Sequence, residues 1–141
     1  MKKLILCVLF VITSNAIAAK GSVILAVSVK NSTSSNCYLI SKNLELGVFL
    51  PGAELAVKLV PGEESQTVQI LPKGVRAQQA LTLTYDCGTG QSITIKSSRG
   101  TGIGARGRAT GEIVAFQNMY AGTDIGSFSI LRPATIHWNL T

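Results

Sequence analysis

The sequence has few of the side chains that perform catalysis or bind metals. Its 141 residues include one histidine, seven acidic residues and three cysteines, and only 14% of the chain is charged. A metal site or an acid–base pair therefore has few possible members. Proline is scarce, with four residues, and 6% of the chain is aromatic, whereas 46% is hydrophobic. This composition argues against a disordered chain, and the length predicts one domain with a single core.

The N-terminal residues have the organisation of a secretory signal peptide. A basic start at 1–3 is followed by an apolar run from Leu4 to Ile12 and by the small residues of Ala16-Ile17-Ala18. We expect cleavage after residue 18, because Ala16 and Ala18 supply the small residues that a signal peptidase needs at its −3 and −1 positions. The apolar run is too short to serve as a permanent bilayer anchor. The mature protein is then a single domain, 19–141, which we expect to be secreted, periplasmic or on the cell surface, with a leader of bacterial type.

Two cysteines remain once the predicted leader is removed. The leader takes away two of 13 basic residues and one of three cysteines, which leaves a net charge of +4. Paired cysteines in an exported protein indicate a disulfide, here between Cys37 and Cys87. Reactive thiols or metal ligands are the alternative, but the chain has no CxxC motif and one histidine. We expect neither a metal nor a cofactor.

Alternation of apolar and polar residues predicts β-strands along most of the mature chain. The pattern is clear over 23–29, and again over 81–87 and 92–96, where Gly88-Thr89-Gly90 predicts a hairpin. A short helical turn is possible at Val75 to Ala80. About nine or ten short strands predict an all-β fold, an antiparallel β-sandwich. The other predicted strands are Tyr38 to Ser41, Leu46 to Leu50, Leu55 to Val60, Thr67 to Leu71, Glu112 to Gln117, Gly126 to Leu131 and Thr135 to Leu140.

One glycine motif invites comparison with nucleotide-binding proteins. The segment Gly102 to Gly107 matches GxGxxG. A dinucleotide site needs a helix to begin at the motif, so that backbone N–H groups meet the pyrophosphate. The residues that follow, Ala109 to Val114, have the character of a strand. We therefore predict a loop from Ser97 to Gly111 and no nucleotide.

The same segment carries three arginines without an acidic residue between Lys96 and Gly111. Guanidinium groups at Arg99, Arg106 and Arg108 could contact phosphate, sulfate or carboxylate groups. The expected partner is an anionic lipid headgroup, a glycan or an envelope protein; the alternative is a solvated loop that contacts nothing specific. We expect no nucleic-acid partner, because the net charge is modest and no aromatic residue lies among the arginines.

The single histidine, His137, falls in a predicted strand. Alternation places Trp138 in the core and His137 on the opposite, solvent-facing side. A hydrolase would have to combine His137 with Asp86 or Asp124, and no GxSxG motif presents a serine. Glu63 and Glu64 follow a Pro-Gly turn and are expected to face water. We therefore predict a binding protein and not an enzyme.

Two families share the order of these features. An apolar strand ending at Asn31 and a later strand closing in Tyr85-Asp86-Cys87-Gly88 resemble the small β-sandwich of aegerolysins and actinoporin-like proteins. That resemblance, over Val23 to Ser97, implies lipid-headgroup binding, sometimes with a pore-forming partner. The leader, the one disulfide and the first strand, Ser22 to Lys30, also resemble exported fimbrial subunits. This second resemblance implies a homo-oligomer assembled by β-strand addition.

Overall fold

The computed structural model describes residues 24–73, 78–100, 108–126 and 133–141. Within these ranges ten strands form two five-stranded sheets, and no helix is long and apolar enough to cross a membrane. The strands are β1 (Leu25–Asn31), β2 (Cys37–Leu46), β3 (Val48–Phe49), β4 (Lys58–Leu59), β5 (Val68–Leu71), β6 (Gln79–Gly88), β7 (Gln91–Arg99), β8 (Ala109–Gln117), β9 (Ala121–Ile125) and β10 (Ala134–Leu140).

The strand order and the pairing direction define the two sheets. The first sheet has the order β3-β5-β1-β10-β9, and the second has the order β4-β2-β6-β7-β8. Every pairing is antiparallel except that of β1 with β10, which is parallel. The predicted β-sandwich is confirmed, and so is the β6–β7 hairpin, whose turn residues Thr89 and Gly90 both have positive φ. The prediction of antiparallel pairing is wrong for β1 and β10. These two strands can pair in parallel because the rest of the domain, and not a hairpin, connects them.

The core lies between the sheets, and β6, β7 and β10 contribute alternate residues to it. Leu25, Val27 and Val29 of β1 are fully buried, as the alternation predicts. Trp138 is also buried, and its Nε1 donates a hydrogen bond to Ser97 Oγ at 2.8 Å. The indole thus links the first sheet to the second through both apolar contact and a satisfied polar group.

The chain crosses from the second sheet to the first at Gly47, between β2 and β3. Gly47 has a φ of +109°, and a Cβ there would lie 2.7 Å from both the Leu71 carbonyl oxygen and Ile70 Cγ2. Only glycine fits this backbone conformation and this close approach. A larger residue would push β3 away from β5.

The last part of the chain departs from the sequence prediction. The strand beside β10 is Ala121–Ile125, whereas we predicted one at Gly126 to Leu131; residues 127–132 lie outside the described ranges. Only Ala121 of β9 is buried, so the strand is held by backbone pairing with β10 and has little hydrophobic alternation to reveal it. The predicted helical turn also fails where it is described, since Gln79 and Ala80 belong to β6.

The predicted Ser97–Gly111 loop is shorter than expected, because β7 continues to Arg99 and β8 begins at Ala109. Arg99 therefore points into the sandwich and is buried. Its Nη1 donates a hydrogen bond to the Ile24 carbonyl at 2.7 Å, and burial lowers the pKa of the guanidinium below its ordinary value. The same carbonyl accepts from the Ala134 amide. Arg99 joins the two sheets and is not a surface contact.

Cys37 and Cys87 form the predicted disulfide. The bond links the neighbouring strands β2 and β6, both cysteines are buried, and 50 residues separate them in sequence. Closing a loop of this length restricts the unfolded chain.

We predict that replacing both cysteines with alanine lowers the free energy of unfolding by about 4 kcal/mol, the loop-closure entropy of the disulfide. Urea denaturation measures the change. Reductant should bring the parent protein close to the stability of the variant and leave the variant unaffected; equal stability of the two proteins under oxidising conditions would contradict the prediction.

Arg99→Ala is expected to lower the free energy of unfolding by about 2–3 kcal/mol, because the Ile24 carbonyl loses a buried charged donor and the side-chain methylenes lose their packing. Arg108→Ala is the matched control: Arg108 is exposed, and a surface substitution changes stability by about 0.5 kcal/mol or less. Thermal or urea denaturation of both variants tests this, and similar losses in the two would refute the structural role.

The hydroxyl of Tyr85 is buried without a hydrogen-bond partner among the described residues, and burial raises its pKa above the ordinary value. Tyr85→Phe removes this unsatisfied group, so we expect the free energy of unfolding to rise by about 1 kcal/mol. Tyr38→Phe, which alters an exposed tyrosine, should leave stability unchanged. A destabilised Tyr85→Phe variant would show that the hydroxyl has a partner in solution.

Candidate functional site

Polar residues that are distant in sequence meet on the outer face of the first sheet. The parallel register places Ser28 beside His137 and Lys30 beside Asn139. On the other side of β10, Asp124 of β9 pairs directly with His137. Since side chains of paired residues project from the same face, His137 lies between Ser28 and Asp124. It is half-exposed and opposite to the buried Trp138, as alternation predicts.

A turn between β4 and β5 brings a carboxylate to this face. Val60 to Glu63 form a β-turn in which Pro61 is followed by Gly62 at a φ of +84°, and the Glu63 amide donates to the Val60 carbonyl at 3.0 Å. The chain then runs along β1, where Lys30 and Glu64 form an antiparallel bridge. Glu64 is therefore held by backbone hydrogen bonds and not only by its own side chain.

Asn31, at the end of β1, fixes the position of this turn. The backbone amide of Asn31 donates to the Glu63 carbonyl, and the backbone carbonyl of Asn31 accepts from the Gly62 amide. The buried side chain donates to the carbonyls of Ser35 and Leu59, both at 2.8 Å, and its Oδ1 accepts from the amide and hydroxyl of Thr33. All hydrogen-bonding positions of the carboxamide are satisfied, so Asn31 ties β1 to two loops at once.

Ser28, Glu64 and His137 form a connected hydrogen-bonded group. Ser28 Oγ donates to Glu64 Oε1 at 2.9 Å and lies 2.5 Å from His137 Nδ1. The same carboxylate oxygen is 3.6 Å from His137 Nδ1. Ser28 is completely buried, whereas the other two side chains are half-exposed. The group thus has a buried base and an accessible upper part.

The group forms one side of an open depression of about 520 Å³, a volume that suits a small ligand. Its lining includes two carboxylates and one ammonium group, and His137 and an amide lie between them. The lining residues are Lys30, Glu64, Gly122, Thr123, Asp124, His137, Trp138 and Asn139. We call this depression the His137 pocket. With a neutral histidine its side chains carry a net charge of −1, which favours a cationic or zwitterionic group.

The contacts of His137 differ from those of a hydrolytic triad. In a triad the serine and the acid use opposite ring nitrogens, so that the acid orients the ring while the other nitrogen takes the serine proton. Here Ser28 and Glu64 both approach Nδ1, and Ser28 is buried. Within the described ranges no three His, Cys, Asp or Glu side chains are grouped as metal ligands. The arrangement is suited to holding a polar group.

The residues singled out in the sequence are only partly brought together. Asp124 joins His137, as the hydrolase alternative required, but Asp86 lies in the second sheet, where its Oδ1 accepts from the Gly88 amide. Arg108 is exposed just before β8, whereas Arg99 is buried. Arg106 and the GxGxxG motif at 102–107 lie outside the described ranges.

Sequence reasoning missed Ser28 and Glu64. Ser28 stands between the apolar residues Val27 and Val29 of β1, and a hydroxyl in such a segment, if buried, needs a hydrogen-bond partner. Glu64 was expected only to face water. The structure does not show the strand addition that the fimbrial resemblance implies. Strand β1 is paired on both sides, with β5 and β10, and so completes its own sheet and not that of a neighbour.

No protein-family model and no curated protein matches the sequence. Solved structures do match. Nakanori, described as a lipid-binding protein, has a TM-score of 0.66 at 10% identity, over 84% of this chain and 70% of that one. RahU protein in complex with a Tris molecule has a TM-score of 0.54 at 12% identity, over 87% and 95%. IP-1A from Alcaligenes faecalis has a TM-score of 0.52 at 11% identity, over 88% and 93%. At these identities, the likeness shows a shared fold.

Proposed function

We propose that this protein is an exported, non-catalytic binding protein that recognises a lipid headgroup in the His137 pocket. The observation that carries the proposal is the convergence of polar side chains from β1, the 60–65 turn, β9 and β10 on one depression. Concave sites with a few convergent polar groups are where small ligands bind.

The charges of the pocket favour a headgroup that contains a protonated amine. Glu64 and Asp124 supply carboxylates that accept hydrogen bonds from an ammonium group, and such charge-assisted bonds are stronger than neutral ones. Lys30 lies on the same face beside Asn139 and offers a donor to a phosphate. A zwitterionic headgroup carries both charges and would satisfy both ends of the pocket.

The shared fold supports this choice of ligand class. Nakanori is described as lipid-binding, and RahU was solved with Tris, a primary amine that carries hydroxyl groups. Fold alone does not determine function, so the weight of the proposal rests on the residues of this pocket.

A second candidate is recognition of an anionic lipid headgroup, a glycan or an envelope protein by Arg106 and Arg108. The observation in its favour is that Arg108 is exposed at the start of β8. Arg99 no longer belongs to this candidate because its guanidinium is buried between the sheets.

Vesicle flotation distinguishes the two candidates. Vesicles of phosphatidylcholine alone are compared with vesicles that also contain phosphatidylethanolamine, whose headgroup has a primary amine, or phosphatidylglycerol, whose headgroup is anionic. We expect preferential binding to the phosphatidylethanolamine vesicles. Asp124→Asn should weaken that binding about tenfold, the effect of losing one hydrogen bond to a charged group.

Asp86→Asn is the matched control, because it removes the same charge from the second sheet and should leave binding unchanged. The double variant Arg106→Ser, Arg108→Ser should also bind normally. Preference for phosphatidylglycerol that is lost in the arginine variant would support the loop instead. Equal binding to all three vesicles, or none, would overturn headgroup recognition.

A further inference from the structure

The hydroxyl of Ser28 lies between two groups, and the position of its one hydrogen decides where His137 is protonated. On one side, Glu64 Oε1 is at 2.9 Å; on the other, His137 Nδ1 is at hydrogen-bond distance. A carboxylate can only accept, so Ser28 must donate to Glu64. The Ser28 oxygen is then an acceptor toward His137, and Nδ1 must carry a proton to complete the hydrogen bond.

Electrostatics favours the same arrangement. Glu64 Oε1 is 3.6 Å from His137 Nδ1, so an N–H at this nitrogen is attracted to the carboxylate. An unprotonated Nδ1 would instead direct a lone pair toward a negative charge and compete with it for the Ser28 proton. Because neutral imidazole carries one ring proton, protonation at Nδ1 leaves Nε2 with a free lone pair.

The supporting hydroxyl is held in place by the fold. Ser28 is fully buried, and β1 is hydrogen-bonded to β5 on one side and to β10 on the other. Water therefore does not reach Ser28 to replace either contact. The half-exposed ring turns its Nδ1 toward this buried base, and His137 lines the pocket.

We propose that Ser28 and Glu64 hold His137 as the Nδ1–H tautomer, which makes Nε2 the hydrogen-bond acceptor that the His137 pocket presents to its ligand. The proposal rests on the proposed function and adds its specificity determinant. Ser28 is a positioning residue, and His137 selects a ligand with an N–H or O–H donor, such as the ammonium group of a headgroup.

Nitrogen-15 NMR tests the tautomer directly, because the chain contains a single histidine. A long-range ¹H–¹⁵N spectrum of the purified protein with the imidazole ring neutral should show a protonated Nδ1 and an unprotonated Nε2. A protonated Nε2 with a bare Nδ1 would overturn the proposal whether or not the protein binds vesicles.

Two variants test the role of the supporting groups. Ser28→Ala removes the acceptor of the Nδ1 proton, and Glu64→Ala frees the Ser28 hydroxyl to donate to Nδ1; both should shift the population toward Nε2–H. Glu63→Ala is the matched control, since that carboxylate accepts from the Val60 amide instead and the tautomer should not change. Glu64→Ala alters a half-exposed side chain and stays informative even if the buried Ser28→Ala variant fails to fold. An unchanged tautomer in Glu64→Ala would refute the assignment.

Vesicle binding is measured separately from the tautomer. An Nδ1–H tautomer in a protein that binds no phosphatidylethanolamine vesicle would reject the proposed function and leave the tautomer assignment intact.

Discussion

The parallel pairing of β1 with β10 is the constraint on which both the core and the His137 pocket depend. It joins the first and last strands of the described domain along seven residue pairs, from Leu25 with Ala134 to Asn31 with Leu140. Because side chains alternate between faces, one register decides two things at once. It buries Val27 and Val29 beside Trp138, and it places Ser28 against His137. A slip of one residue would exchange these faces and destroy both.

Buried polar groups complete what this register begins. A polar group removed from water must find partners inside the protein, so each one selects a particular arrangement of the chain around it. The Asn31 carboxamide holds the 32–36 loop and Leu59 of β4, while the backbone of Asn31 holds the 60–63 turn; Ser28 holds Glu64 and His137. Arg99 holds the backbone at Ile24. The base of the His137 pocket is therefore held by the hydrogen bonds of Ser28, whereas its rim is open to solvent.

Short-range features of the fold were predictable, and long-range ones were not. The hairpin at 88–90, the alternation of β1 and β10 and the burial of Trp138 depend on neighbouring residues, so the sequence shows them directly. The disulfide was predictable by elimination, since the predicted loss of the leader leaves two cysteines and therefore one pairing. Strand β9 was not predictable, because backbone pairing with β10 holds it and it has little hydrophobic alternation. The end of β7 was not predictable either, because the carbonyl that Arg99 contacts, that of Ile24, is 75 residues away in sequence.

The sequence by itself determined which residues of β1, β6 and β10 face the core, where the 88–90 turn occurs and which cysteines pair, because periodicity, turn chemistry and composition are local properties. Only the tertiary structure decided which polar residues of the outer face become neighbours. Ser28 and His137 are 109 residues apart, and Ser28 and Glu64 are 36 apart. Their meeting depends on strand order and register, which arise from backbone hydrogen bonds between segments that share no sequence signal.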